Sequence, residues 1–238
     1  MIHLNQVDIH SDAFPVTDAY PFNLNILQTT KSLDFTDTIT FCIGENGTGK
    51  STFLKALAQR CGIHIWQNEF NMRIEKNPHE EHLYQFLSPA WKNGPVKGSF
   101  FSSQIFSCFA QNLEEWAVND INMLDFFGGK SLITQSHGQS LMSYFKSRYT
   151  IEGLYFLDEP ETALSPSSLI QLLNLLNKFN QTGRAQFIIA THSPILLACP
   201  DARIYTFNTE KIEPIAYKDT DYYKIYKQFM AHPNQFMT

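Results

Sequence analysis

The sequence predicts an α/β fold: a mostly parallel sheet flanked by helices, with an N-terminal antiparallel β-element and an inserted helical subdomain. Three observations lead there. Residues 38–43, 154–157 and 186–190 are short apolar runs rich in β-formers, as expected of strands covered on both faces. The first two are followed by apolar residues at helical spacing. Between the first run and its helix lies a glycine-rich turn, Gly44-Glu45-Asn46-Gly47-Thr48-Gly49-Lys50-Ser51, which fits G-x-x-x-x-G-K-[ST].

In chain order, residues 2–9 alternate apolar and polar and read as a half-buried strand. Residues 24–28 read as a second short strand after the breaks at Pro15 and Pro21. The buried strand 38–43 leads through the glycine-rich turn into a helix reaching about Arg60. From Cys61 to Gly98 the pattern weakens. Residues 63–66 suit a strand, 78–86 a short helix, and Pro89, Asn93-Gly94-Pro95 and Gly98 a loop. Ile105, Phe106, Phe109, Leu113 and Trp116 share one side of a helix over 102–118. Gly128-Gly129 and residues 136–140 interrupt, and 141–149 is a further helix. The insertion, about residues 68–150, is therefore mainly helical, within a single domain of residues 1–238.

The run 154–157 ends in two carboxylates, Asp158 and Glu159, and reads as a central parallel strand. Ser165-Pro166 caps and opens a helix burying Leu169, Leu172, Leu173, Leu176 and Phe179. The buried strand 186–190 runs into Thr191-His192-Ser193-Pro194. Residues 204–207 and 212–217 form a closing hairpin, and 219–229 a terminal helix with Tyr, Ile and Phe on one side.

The chemistry follows from this placement. Glycines let backbone N–H groups turn inward around phosphate oxygens, and the dipole of the following helix favours negative charge. Lys50 would reach the β- and γ-phosphates of a nucleoside triphosphate, and the Ser51 hydroxyl would hold Mg²⁺. Asp158, at a strand end, suits a carboxylate holding Mg²⁺ through water, and Glu159 beside it suits a general base orienting water. His192 stands past the next buried strand, on the ligand edge of an open α/β sheet, where an imidazole would contact the γ-phosphate. Tyr20 and Phe22 read as ordinary core aromatics, with stacking on adenine the alternative. His79-Glu80-Glu81-His82 departs from H-E-x-x-H and reads as a solvated helix start, not a zinc site.

Composition narrows the class. Net charge is −5 over 238 residues, so no global field attracts nucleic acid. Charged residues make up 17%, below a typical ~25%, and 20 Phe point to an aromatic core. No apolar run approaches the ~20 residues of a spanning helix. Four separated cysteines suit reduced thiols, and a cytoplasmic protein without direct membrane insertion is expected.

Five motifs in order resemble those of the ATP-binding-cassette (ABC) ATPases. They are residues 44–51, Ser136-His137-Gly138-Gln139, Leu157-Asp158-Glu159-Pro160, Ala163-Leu164-Ser165 and His192. They are similar to that class's Walker A, signature, Walker B, D-loop and H-loop. The usual signature is L-S-G-G-Q; here Gln135 replaces the Leu and His137 the first Gly. Asp158-Glu159-Pro160-Glu161 and Thr191-His192-Ser193-Pro194 resemble the non-transporter branch, which includes RecF-like, OLD-like and chromosome-maintenance ATPases. Small stand-alone bacterial AAA-family ATPases share Gln-Ser-His-Gly-x-Ser.

The resemblance implies Mg²⁺-dependent ATP hydrolysis. Gly44 through Ser51 and Thr52 would bind ATP. Ser51, Asp158 and, by position, Gln104 would serve the metal, and Glu159, His192 and Gln104 the reaction; Ser102-Ser103-Gln104 stands where the small ATPases often carry Arg-Ala-Glu, and an ordinary polar residue on an amphipathic helix is the equal alternative for Gln104. Ser136, Gly138 and Gln139 would touch the γ-phosphate of ATP held by a second copy, giving an isologous homodimer with two sandwiched nucleotides. Binding and hydrolysis would then switch a partner protein or DNA. A nucleotide-binding subunit of an ABC transporter is an alternative, although transporter cassettes usually carry Thr where Glu161 stands. A non-hydrolysing nucleotide-dependent scaffold is a third.

Overall fold

A computed structural model describes residues 1–65, 77–127, 129–135 and 137–237. The strands are β1 (Leu4–Ile9), β2 (Ser32–Asp34), β3 (Ile39–Ile43), β4 (Leu87–Trp91), β5 (Gly98–Ser102), β6 (Gly153–Asp158), β7 (Ala185–Ala190), β8 (Arg203–Thr206) and β9 (Glu213–Pro214). The α-helices are α1 (Asn25–Thr29), α2 (Lys50–Arg60), α3 (Ser103–Asn119), α4 (His137–Arg148), α5 (Pro166–Thr182), α6 (Pro194–Leu197) and α7 (Asp221–Ala231).

The main sheet has the order β5-β6-β7-β3-β8-β9. Its first five strands are mutually parallel, and β9 pairs antiparallel with β8. This is the mostly parallel sheet the sequence predicts. Successive side chains of each strand point to opposite faces. Ile39, Phe41, Tyr155, Leu157, Phe187 and Ile189 face α3, α4 and α5, joined by Phe101, Phe106, Phe109, Phe145 and Tyr149. Cys42, Phe100, Leu154, Phe156, Ile188 and Ala190 face α2 and the N-terminal sheet. Both faces are thus covered, which is why these strands show no polar alternation. The phenylalanines are shared between the two cores; in the first, Phe187 meets Tyr149, Tyr155 and Phe179 at centroid distances of 5.1, 5.5 and 6.1 Å.

The N-terminal antiparallel sheet has the order β2-β1-β4. A buried glutamine ties it to the main sheet. Gln186 Oε1 accepts from the N–H groups of His3 and Leu4 at 2.9 and 2.8 Å, and its amide donates to the Leu4 carbonyl at 2.9 Å. A polar residue with no exposed surface is tolerated on β7 because these three bonds satisfy it.

Several elements differ from expectation. Residues 24–28 belong to helix α1, not a strand: Ile26 and Leu27 are buried on one turn, and the Thr30 hydroxyl donates back to the Ile26 carbonyl. So short an apolar run carries no period that separates the two states. The second strand of the chain is instead β2, which pairs with β1 on the side opposite β4 and whose single buried residue is Leu33. Residues 63–65 lie in no regular element, and Trp66 falls outside the described residues. Residues 78–86 form a turn and a short 3₁₀ segment (Leu83–Phe86) in place of a helix.

The expected loop around Pro89 and Gly98 contains two strands. β4 is an edge strand, which accommodates Pro89. β5 begins at Gly98, where a Cβ would lie 1.8 Å from the Leu154 carbonyl oxygen, so only glycine allows that approach. Among the described residues of 68–150 the α-helices are α3 and α4, with a 3₁₀ segment (Ile121–Phe127) between them. Trp116 is exposed on α3, while Phe106, Phe109 and Leu113 are buried as expected.

Candidate nucleotide site at the sheet edge

The C-terminal ends of β3, β6, β7 and β8 share one edge of the sheet, the position where open α/β folds bind ligands. Residues 44–49 leave β3 there and open α2. Gly44 and Gly49 have φ of 153° and 98°, and a Cβ at Gly44 would come within 2.9 Å of Asn208 Oδ1 and Thr48 Oγ1. No side chain caps α2, whose N-cap is Gly49, so its first amides point toward the loop. Asn208, just past β8, accepts from Glu45 N–H at 2.7 Å and holds the far side of the loop.

Lys50 is buried, with its ammonium donating to the carbonyls of Gly44 and Glu45 at 2.7 and 2.8 Å. Burial lowers its pKa, and the nearby carboxylates of Glu159 and Asp158 oppose that. The Ser51 hydroxyl donates to Asp158 Oδ1 at 2.8 Å, joining the two residues expected to share a cation. Burial raises the pKa of Asp158, with the Ser51 bond opposing it. A hydroxyl and a buried carboxylate are hard oxygen donors, the set Mg²⁺ uses when phosphates and water supply its other ligands.

Glu159 begins the turn after β6 with φ 48°, a left-handed conformation uncommon for a side chain of its size. Its N–H donates to the Ala190 carbonyl at 2.9 Å, and its Oε1 lies 3.2 Å from His192 Nε2. The expected base and the expected phosphate contact thus meet directly. Glu161 Oε1 accepts from the His192 N–H, and Tyr222 OH lies 2.7 Å from His192 Nδ1.

Gln104 sits in the first turn of α3, two residues beyond Ser102, which pairs in register with Asp158. The neighbouring Ser103 hydroxyl lies 2.6 Å from Thr162 Oγ1, which donates to the Glu159 carbonyl at 2.9 Å. Tyr20 OH lies 2.9 Å from Thr52 Oγ1 on α2, while Phe22 has no exposed surface and packs against Phe14 and Phe86.

Ser136 lies outside the described residues. Gly138 and Gln139, in the first turn of α4, line a groove of about 370 Å³ with Gln135, Ser143, Ser168 and Lys146. None of residues 44–51 lines that groove. Three contributors were missed in the sequence. Asn208 was legible by the rule that found His192, since it too follows a parallel strand. Glu161 stood out only as a departure from transporters. Tyr222, read as part of an apolar helix face, gave no local signal.

The fold is similar to that of ABC-type P-loop ATPases. Residues 139–198 match the family model described as "AAA domain, putative AbiEii toxin, Type IV TA system". The tungstate uptake system ATP-binding protein TupC of Campylobacter jejuni is 23% identical over 208 residues, covering 81% of this chain. The match covers 60% of TupC, so the chain spans less than two thirds of that relative. The solved structure of cbiO1 from Clostridium perfringens, part of the ABC transporter complex cbiONQ, superposes with a TM-score of 0.53 at 18% identity over 96% of each chain.

Proposed function

We propose that the chain binds Mg²⁺–ATP at residues 44–52 and hydrolyses it, working as an ATP-sandwich homodimer that switches a partner protein or DNA. The observation that carries the reading is the Ser51–Asp158 bond with Glu159 and His192 in contact beside it, all on one sheet edge. In this reading Lys50 leaves the loop carbonyls for the β- and γ-phosphates, and the α2 amides neutralise phosphate charge. Bound Mg²⁺, held by Ser51 and Asp158, would supply charge neutralisation at the transferring phosphoryl group. Glu159 orients the attacking water and takes its proton, and His192 contacts the γ-phosphate. Gln104 serves the same water and cation.

That no residue of 44–51 lines the groove at Gly138 and Gln139 supports a second copy completing the site. Ser136, Gly138 and Gln139 would then grip the γ-phosphate held by the other chain, so ATP is the bridge and hydrolysis removes it. Lys50→Ala is expected to abolish nucleotide affinity by calorimetry. Ser136→Arg is expected to keep that affinity while losing ATP-dependent dimers in sedimentation; dimers that persist with ATP would remove the sandwich.

Similarity to TupC favours one second reading, the ATP-binding subunit of an uptake system. Co-purification with a membrane protein would decide for it.

A further inference from the structure

The C-terminal helix α7 reaches the candidate site through one residue. Tyr222 OH donates to the Gly44 carbonyl at 2.9 Å and lies 2.7 Å from His192 Nδ1, with the two rings edge to face at 5.5 Å. A phenol has one proton, and a carbonyl can only accept. The proton is therefore spent on Gly44, and the phenol oxygen must accept from Nδ1–H of His192. Burial pushes the phenol up to about 12, so it keeps the proton this arrangement requires.

The consequence lies on the other ring nitrogen. With Nδ1–H held by the phenol oxygen, the ring presents Nε2 to Glu159 Oε1, 3.2 Å away, and a hydrogen bond there needs a further proton, on Nε2 or on the carboxyl. The backbone of His192 is fixed separately, by Glu161. Ring and backbone thus have different holders: Tyr222 fixes the ring at Nδ1, whose proton it accepts in a hydrogen bond, and Glu159 meets it at Nε2. Tyr222 also shares the Gly44 carbonyl with Lys50 Nζ, which donates to it at 2.7 Å. When Lys50 turns toward phosphate, that carbonyl keeps Tyr222 as donor and is not stranded.

Resting on the ATPase reading above, we propose that Tyr222 is a positioning residue, which orients the His192 imidazole and makes α7 part of the nucleotide site.

Tyr222→Phe keeps the ring and removes only the hydroxyl. It is expected to lower kcat about tenfold, the upper end of what one hydrogen bond contributes, with KM for ATP within about twofold. In a His192→Ala background the same substitution should change kcat by less than about twofold, because a residue acting through His192 has nothing left to act on. Unchanged kcat in the single variant, or a full additional tenfold loss without His192, would overturn the proposal. A second measurement needs no turnover: in nucleotide-free protein carrying ¹⁵N-histidine, the His192 Nδ1 resonance should be that of a protonated nitrogen and should move in Tyr222→Phe. Identical Nδ1 shifts in both proteins would also overturn it. A wild-type chain that binds ATP without hydrolysing it would sink the ATPase reading alone, and the nitrogen shifts would still decide the contact.

Discussion

Strand β6 changes character within two residues. Leu157 has no exposed surface and sits among Phe101, Leu141 and Ile189 in the core facing α3 to α5. Glu159, just past the strand's end, is half-exposed, holds a left-handed backbone and faces another titratable side chain. The interior is secured by non-directional burial, which accepts any well-fitting apolar side chain. The edge is secured by direction: Ser51 donates to Asp158 at 2.8 Å, and His192 meets Tyr222 and Glu159 at 2.7 and 3.2 Å. Stability therefore resides in the first region and, on the proposed function, chemistry in the second, and the two should separate under mutation.

The largest separation is expected at Glu159. Glu159→Gln keeps the size and hydrogen-bonding reach of the side chain but cannot take a proton. ATP hydrolysis is expected to fall about 10²–10³-fold, or ~3–4 kcal/mol of barrier, measured by phosphate release. The Glu159–His192 pair is partly exposed, so melting should shift by no more than a few degrees. A variant that hydrolyses at the wild-type rate would move the base elsewhere.

Leu157→Ala is the converse. Removing a fully buried leucine should cost about 3 kcal/mol of stability, read from the urea midpoint. Nucleotide affinity below the transition should change less than about threefold. A collapse of affinity at low denaturant would mean that edge geometry depends on this packing, and the two regions would not be independent.

The same division explains what the sequence revealed. β3, β6 and β7 were legible because burial on both faces writes a continuous apolar run, and α5 because Ser165-Pro166 announces its start. The Ser165 hydroxyl does accept from Ser168 N–H at 3.3 Å. Lys50, Ser51, Asp158, Glu159 and His192 were legible because each borders such a run, and strand ends converge once the strands pair in parallel. β4 and β5 were not: the N-terminal sheet selects β4 through pairing with β1, and a proline and a glycine inside them read locally as breaks. Tyr222 was invisible for a related reason. Its role comes from a tertiary approach across 178 residues to Gly44, and nothing in the spacing of α7 encodes it.

The smallest expected effect sharpens the comparison, because it concerns a residue with a stake in both regions. Glu161 is partly buried like a core residue but directed like an edge residue, through its bond to the His192 N–H. Burial raises its pKa, and that N–H bond opposes the shift. A carboxyl with a raised folded-state pKa favours folding in its protonated form. Its contribution is complete below the unfolded pKa and is lost as pH rises through the folded value. At pH 7 the wild type therefore carries the cost of a buried charge, and Glu161→Gln, whose amide oxygen can still accept from His192, should melt at a higher temperature. The difference should shrink as pH falls toward about 4, where the wild-type carboxyl is protonated too. A variant that melts lower at pH 7 would show that the bond to His192 outweighs desolvation, placing Glu161 wholly with the directional edge.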